Sequence, residues 1–220
     1  MFNACLLEVL RFGGVFLKNR EGCWHPCRGM AWETPLRFHL MTTFIALLRG
    51  INVGGNRKLA MADLRDLCVA SGLAGVRTYV NSGNVVFTAT GAPAEQEARI
   101  EAAIEVHCGF KVDVMVRSAT DWAGYVRGNP FPDLAEKQPN FVMLLVPKQP
   151  LSAGDVTRMR AKAVGGERVE AVGEVVWIYY ANGSGRSKLA AANLVRTPIT
   201  TRNWRTVLAL DAMAKAAQHG

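Results

Sequence analysis

The stretch VRTYVNSGNVVFTA, residues 76–89, decides the fold that this sequence predicts. Two runs rich in β-branched and aromatic residues flank the turn formed by Asn81, Ser82, Gly83 and Asn84. Because glycine and asparagine tolerate the positive φ angles of tight hairpin turns, these residues predict two antiparallel strands. No other part of the chain gives so strong a hairpin signal.

The segments on either side extend this hairpin to a unit of six elements. Before it, TTFIALLRG (residues 42–50) predicts a buried strand, and MADLRDLCVASG (residues 61–72) predicts an amphipathic helix. After it, PAEQEARIEAAIEVHCG (residues 93–109) predicts a second helix, and FKVDVMVR (residues 110–117) alternates as a strand. The order β-α-β-β-α-β is that of the split βαβ, or ferredoxin-like, arrangement.

The rest of the chain has a related rhythm of helices and strands. A short helix in ATDWAGYVRG leads to a strand in NFVMLLVP, and a further helix begins at Ser152. A hairpin is predicted around Gly173, then a short helix in KLAAANL and a long closing helix in residues 200–217. We therefore predict that residues 119–220 form a second α+β half, packed against a first half at residues 41–118.

The first forty residues differ from the rest. They crowd glycine, proline, tryptophan and cysteine together without a sustained period of 2 or 3.6, so no face is available for burial. Cys23, His25 and Cys27 lack the second pair of ligands that a closed zinc site requires, and we predict no metal site. We interpret residues 1–40 as an extension that packs poorly on the fold, with a mis-assigned start and Met41 as the better beginning.

Composition and charge limit the classes of function that this chain could have. Half of the 220 residues are hydrophobic, which is enough for a sizeable core, and the net charge is +8. A basic chain favours polyanionic or phosphorylated partners. Five cysteines are an odd number, and no apolar run reaches the roughly 18 residues of a membrane span. We therefore predict a cytoplasmic protein without a membrane partner.

Five segments, in chain order, carry a resemblance to a known family. They are ALLRGINVGG, RTYVNSGNVVF, VRSATDWAGYVRGNPF, GRSKL and TTRNWRTVLAL. Together they are similar to successive segments of the family called domain of unknown function 1697, from residue 43 to about residue 211. This resemblance implies an α+β fold of tandem ferredoxin-like (split βαβ) halves with antiparallel sheets, and it implies no established activity.

The glycine-rich loop at residues 49–57 raises the question of phosphate binding. A Walker A loop needs a lysine and a hydroxyl residue where this chain has Asn56 and Arg57. A dinucleotide-binding fingerprint fails on spacing and on the predicted antiparallel sheet. The simplest interpretation is a tight turn, for which the glycines supply the backbone freedom.

Topology adds a second interpretation. In a ferredoxin-like sheet of order 4-1-3-2, this loop and the hairpin turn lie at the same edge, which we call the loop edge (residues 49–57 and 81–84). It has no acidic residue between Arg49 and Asp63, so we predict an attraction for anions, whereas Arg117 should lie at the opposite end of the sheet. The predicted ligand-binding residues of the loop edge are Arg49, Asn52, Gly54, Gly55, Arg57, Ser82 and Asn84.

A second basic region lies between Glu174 and Asp211, where the sequence has no acidic residue. The GSGRSK turn could cup an oxyanion, and Thr200 or Thr201 would cap the closing helix. The alternative is that these arginines pair with acids elsewhere in the chain. We add to the predicted site, as the second wall of a basic cleft between the halves, Ser187, Lys188, Arg202 and Asn203.

No catalytic constellation is recognisable, and whether the protein is an enzyme stays open. His107 and Cys108 lie together on an apolar helix and are interpreted as packed residues, and no Ser/His/Asp set is found. We predict binding of a phosphorylated small molecule or nucleotide in the basic cleft, without a cofactor. The alternatives are an RNA- or DNA-binding module, which lacks the aromatic-glycine-aromatic pattern of RNA-recognition sheets, and a protein-interaction domain.

Overall fold

The computed structural model describes residues 16–18, 24–26, 41–55 and 57–218. The chain divides into two compact units, Met1–Phe38 and His39–Gly220. The described part of the first unit is an antiparallel pair of short strands, β1 (Phe16–Lys18) and β2 (Trp24–Pro26). Cys23 and Cys27 lie outside the described residues, as does most of the predicted extension.

We predict that the larger unit folds without residues 1–40, and this prediction has a direct test. We expect a chain that starts at Met41 to unfold at the same temperature as the full chain, because residues 44–217 form the hydrophobic clusters described below. Thermal melts of the two chains give the comparison. A loss of more than about 2 kcal/mol, the scale of one fully buried large side chain, would show that residues 1–40 complete the core.

The first half has the predicted order of six elements. They are β3 (Thr42–Leu48), α1 (Met61–Ala70), β4 (Ala74–Tyr79), β5 (Asn84–Ala89), α2 (Pro93–Cys108) and β6 (Val114–Ser118). The sheet order is β4-β5-β3-β6, and all neighbouring strands are antiparallel. In chain order this is 4-1-3-2, so the ferredoxin-like prediction for this half is confirmed.

The second half repeats the same sheet. Its elements are α3 (Ala119–Arg127), α4 (Pro132–Lys137), β7 (Val142–Pro147), α5 (Ala153–Lys162), β8 (Arg168–Val172), β9 (Val175–Tyr179), β10 (Ile199–Asn203) and α6 (Trp204–Gln218). The strand order β10-β7-β9-β8 is again 4-1-3-2 and antiparallel. Two short 3-10 turns, Ser184–Arg186 and Ala191–Asn193, stand where the first half has its second helix. The fold is thus α+β with two four-stranded antiparallel sheets.

The prediction was wrong about where the closing helix begins. Residues 199–203 form strand β10, in which Arg202 lies opposite Leu144 of β7. The β-branched residues here favour a strand that can pair with β7, and the helix starts only at Trp204. Asn203 caps it, since its Oδ1 accepts a hydrogen bond from the Thr206 backbone N–H at 2.9 Å. The short helix predicted in KLAAANL is likewise reduced to a 3-10 turn.

The two sheets share one core. Trp122 of α3, Trp177 of β9 and Val207 of α6 are fully buried in a cluster that also includes residues from both sheets. Trp122 ties the two helices together, because its Nε1 donates to the Val207 carbonyl at 3.1 Å. Residues of α1 and α2 cover the other face of the first sheet, and residues of α5 cover that of the second. Strand β3 is buried on both faces, which explains its continuous apolar run.

Helix α2 also closes the free edge of β6. The Val114 N–H donates to Glu101 Oε1 at 2.7 Å, and the Val116 N–H donates to Glu97 Oε1 at 2.9 Å. An open edge would offer these N–H groups to another chain. The two glutamates therefore complete the sheet with side-chain acceptors.

Candidate functional site

The loop after β3 and the β4–β5 turn lie against each other, as the topology predicted. Asn52 joins them: its Nδ2 donates to the carbonyl oxygens of Leu59 and Asn81, each at 2.9 Å, and its Oδ1 accepts from the Leu59 N–H at 2.9 Å. Both N–H groups of this amide are therefore used within the protein. Asn52 holds the loop edge in shape.

The glycines of the loop edge are required for different structural reasons. Gly83 has a φ of +75°, and a Cβ on it would lie 2.6 Å from Ile51 Cδ1 and 2.8 Å from Leu48 Cβ, so only glycine fits without rearrangement. Gly54 and Gly55 have φ angles of +61° and +79°, and a Cβ on either would meet no atom within 4 Å. The last two glycines therefore serve the turn, with open space around them.

Arg202 is the centre of a joint between the two halves. It is 7% exposed, and all five of its N–H groups donate to acceptors within the protein. The acceptors are Asn84 Oδ1, Thr200 Oγ1 and the carbonyl oxygens of Leu48, Ser82, Gly83 and Thr201. Burial lowers the pKa of Arg202 to about 10. The geometry corrects the prediction that Arg202 contacts a ligand, because none of its N–H groups is left to donate.

Two further predicted residues belong to the same joint. Asn84 is fully buried, and its Nδ2 donates to the Tyr79 carbonyl at 2.9 Å and to Ser82 Oγ at 3.1 Å. Its Oδ1 accepts from Arg202, so the whole amide is occupied. Asn84 and the Ser82 carbonyl orient Arg202 across the interface between the halves.

The loop edge opens into a cavity of mixed charge. Its volume is about 320 Å³, and its lining residues are Arg49, Arg57, Glu101, Glu105, Lys111, Val112 and Asp113. Arg49 Nη1 lies 3.1 Å from Asp113 Oδ2, and Lys111 Nζ lies 3.6 Å from Glu105 Oε1. We predicted a basic edge, but its charge is mixed, because α2 and the residues before β6 bring three acids against it. Of the charged residues that line this cavity, only Arg57 has no ion-pair partner in the part of the chain that the structure describes.

The predicted residues near the GSGRSK turn also meet an acid. Ser187 Oγ donates to Glu167 Oε1 and accepts from the Leu189 N–H at 3.0 Å. The hydrogen bond from Ser187 is the main reason why the pKa of Glu167 is lowered. Lys188 is exposed. These contacts lie within the second half, and no hydrogen bond or ion pair between described residues joins Ser187 or Lys188 to the loop edge.

Arg117 forms a second joint between the halves, at the opposite end of β6 from the loop edge. Its Nη2 donates to the Pro147 carbonyl at 2.6 Å, and its Nη1 donates to the Val116 carbonyl at 2.8 Å. Its Nε forms an ion pair with Glu174 at 3.2 Å, and its Nη1 lies 3.8 Å from Glu97 Oε1. Burial raises the pKa of Glu97.

A separate cavity lies between helices α3, α4 and α6, and the sequence did not predict it. We call it the α3–α6 cleft. Its volume is about 480 Å³, and its lining residues are Val126, Arg127, Asn129, Pro132, Ala135, Glu136, Pro139, Trp204, Arg205 and Leu208. Six of the ten are apolar. Arg127 and Arg205 are exposed and have no hydrogen-bond or ion-pair partner among the described residues.

Asn129, which lines the cleft, carries an unsatisfied donor. Its Oδ1 accepts from the Phe131 N–H at 2.9 Å, which sets the orientation of the amide. Its Nδ2 is buried and has no partner in the part of the chain that the structure describes. A buried donor without an acceptor is uncommon in folded proteins, so a partner from outside the protein would be stabilising here.

Comparison with known proteins gives the family. The model of a family described as a protein of unknown function, DUF1697, matches residues 41–177, which is more than half of the chain. This chain belongs to the DUF1697 family. Its fold is similar to that of a conserved bacterial protein from Streptococcus pneumoniae, with 27% identity and a TM-score of 0.63 over 79% of this chain and 99% of that one. Among curated proteins, no match was found.

The match with DUF1697 divides the α3–α6 cleft. The wall formed by α3 and α4 lies inside the matched residues, whereas Trp204, Arg205 and Leu208 lie beyond them. Three lining residues from the α3 side, Val126, Arg127 and Asn129, fall in one segment that carried the sequence resemblance, VRSATDWAGYVRGNPF. The three from α6 fall in another, TTRNWRTVLAL. That coincidence was the only signal from which the cleft could have been predicted.

The described residues of this DUF1697 protein offer little catalytic chemistry. Burial raises the pKa of Cys68 to about 12 and also raises that of Cys108, so both thiols stay protonated. His107, predicted to be packed, is exposed. No group of three metal-binding side chains is found in the described ranges, and none of their helices could cross a membrane.

Proposed function

We propose that this protein binds a small phosphorylated molecule in the α3–α6 cleft. The observation that carries the proposal is the pair Arg127 and Arg205, which line one cavity and have no partner among the described residues. By contrast, Arg49 pairs with Asp113, and Arg202 has all of its N–H groups occupied. The unpaired arginines are the ones whose donors are available to a ligand.

Charge and helix geometry support an anionic ligand. The cleft has two arginines and one acid, Glu136. Helix α6 begins at Trp204, so its N-terminal end, which carries a partial positive charge, lies beside the cleft. The planar guanidinium can donate two parallel hydrogen bonds to phosphate oxygens, and each charge-assisted bond contributes about 1.5 to 3 kcal/mol.

The loop edge is the alternative location for the same ligand, because Arg57 is also unpaired among the described residues. Three acids share its cavity, and they would repel a phosphate. We therefore place the ligand in the α3–α6 cleft and use the loop edge as a comparison.

Isothermal titration calorimetry with inorganic phosphate, ribose 5-phosphate and nucleoside monophosphates tests the proposal on the full chain. We expect Arg127→Ala and Arg205→Ala each to weaken binding of the phosphorylated compounds more than tenfold. Arg99→Ala, on the exposed face of α2, is the matched control and should change affinity less than twofold. If Arg57→Ala has the large effect instead, the site is the loop edge. If no compound binds the parent protein, the proposal is wrong.

Titration with a short single-stranded RNA at two salt concentrations distinguishes a nucleic-acid interface from a small-molecule site. A nucleic-acid interface would use many cations that each contribute a little, and its affinity would fall steeply with salt. RNA binding of that kind, together with no effect of Arg127→Ala on small phosphates, would replace the small-molecule proposal.

A further inference from the structure

We infer that the ligand of the α3–α6 cleft carries a planar ring as well as a phosphate, so that nucleoside monophosphates are the class it accepts. This inference rests on the proposed function. It depends on three features of the cleft that phosphate binding alone does not require: a held tryptophan, an exposed apolar wall and an unpaired amide donor.

Trp204 provides a ring whose orientation is set by the protein. It packs edge-on against Trp177, with ring centroids 5.6 Å apart and an interplanar angle of 63°. Trp177 is fully buried, so it holds one side of Trp204 in place while Trp204 also lines the cleft. An indole held in this way can stack on any nucleobase, because every base has a π-face.

An apolar wall continues from Trp204 along α6. Leu208 lies one helical turn further on and is 42% exposed. Pro132 and Pro139 line the same cleft. An inorganic phosphate or an open-chain sugar phosphate would leave this surface in water, whereas a base would cover it. The cavity volume, about 480 Å³, is within the usual range for small-molecule sites.

Asn129 adds a requirement for an acceptor. Since its Oδ1 is engaged by the Phe131 N–H, only its Nδ2 donor is left without a partner. This atom is buried, so a small shift of the side chain must expose it before a ligand can accept its hydrogen bond. Nucleobases present ring nitrogens and carbonyl oxygens at their edges, and either would satisfy this donor. The cleft thus combines two cations for the phosphate, an indole for the ring and one donor for an acceptor on the ring.

Calorimetry with AMP, GMP, adenosine and ribose 5-phosphate on the full chain tests the inference. We expect a nucleoside monophosphate to bind more than tenfold tighter than ribose 5-phosphate. Trp204→Leu should remove most of this difference while changing the affinity for ribose 5-phosphate less than twofold. Leu208→Ala and Asn129→Ala should each weaken only the nucleoside monophosphate, by about threefold to tenfold.

The outcomes separate the inference from the proposed function. If AMP and ribose 5-phosphate bind equally and Trp204→Leu affects neither, the ring inference is wrong and phosphate binding stands. If no phosphorylated compound binds, the proposed function and the inference both fall. Leu208 is exposed, so Leu208→Ala keeps the test valid even if Trp204→Leu lowers the melting temperature.

Discussion

Replacing Arg202 by methionine is expected to lower the free energy of unfolding by about 3 to 5 kcal/mol. Methionine retains much of the stem but donates no hydrogen bond. The change would leave buried acceptors without a donor, among them Asn84 Oδ1 and the Leu48 carbonyl. Each unsatisfied buried polar group costs about 1 to 3 kcal/mol before the structure relaxes. Urea unfolding of the full chain, followed by circular dichroism, measures the loss.

Two controls test the role of Arg202. Arg99→Met on the exposed face of α2 should change stability by less than about 0.5 kcal/mol. Arg202→Lys should give an intermediate loss, because an ammonium group keeps the charge but cannot reach acceptors in as many directions. Equal losses for Arg202→Met and Arg99→Met would show that the joint contributes nothing. We also expect Arg202→Ala to destabilise the fold, so it cannot serve as a ligand-binding test.

Replacing Arg117 by methionine should have the second large effect, about 3 to 5 kcal/mol near neutral pH. The change removes the hydrogen bond to the Pro147 carbonyl and takes away the guanidinium nearest to the buried Glu97 carboxylate, which keeps only the weaker influence of Lys148. The pair with Glu174 adds little to this figure, because that side chain is 45% exposed. Chemical unfolding of the two proteins gives the difference.

The pH dependence identifies the cause of this loss. Burial already raises the pKa of Glu97, and removing Arg117 should raise it further. A carboxyl with a higher pKa in the folded state binds its proton more tightly there, so stability falls as the pH rises through that pKa. The deficit of Arg117→Met should therefore be largest near neutral pH and shrink as the pH falls toward 4.5, the ordinary pKa of glutamate.

A double variant completes this test. Glu97→Gln in the Arg117→Met background should recover part of the lost stability, since the amide is neutral and its oxygen can still accept from the Val116 N–H. A deficit that is independent of pH and is not reduced by Glu97→Gln would show that lost packing, and not the buried charge, causes the effect.

The two arginines fasten the halves in opposite directions. Arg117 extends from β6 of the first half to the Pro147 carbonyl of the second, and Arg202 extends from β10 to the Leu48 carbonyl of the first. Both form hydrogen bonds with main-chain oxygens, which no substitution in the partner segment can remove. Two of the cations that gave this chain its basic character are therefore part of the fold.

The sequence by itself determined the first half and the family. Strand alternation, helical periodicity and the glycine turn at Gly83 are local properties, so they predicted β3 to β6 and their sheet order without knowledge of the rest. The strand at residues 199–203 was missed because it exists only through pairing with β7. Its residues also fit the start of a helix when they are considered alone.

Only the tertiary structure decided which basic residues could serve a ligand. Arg49 has no acid near it in sequence, yet folding brings Asp113 to 3.1 Å. Arg202 was predicted to contact a ligand from the start of a helix and lies buried in a strand, whereas Arg127 and Arg205, distant in sequence, line one cleft. The physical reason is that the role of a charge depends on the groups within a few ångströms of it, and these come from elements that only the packed fold brings together.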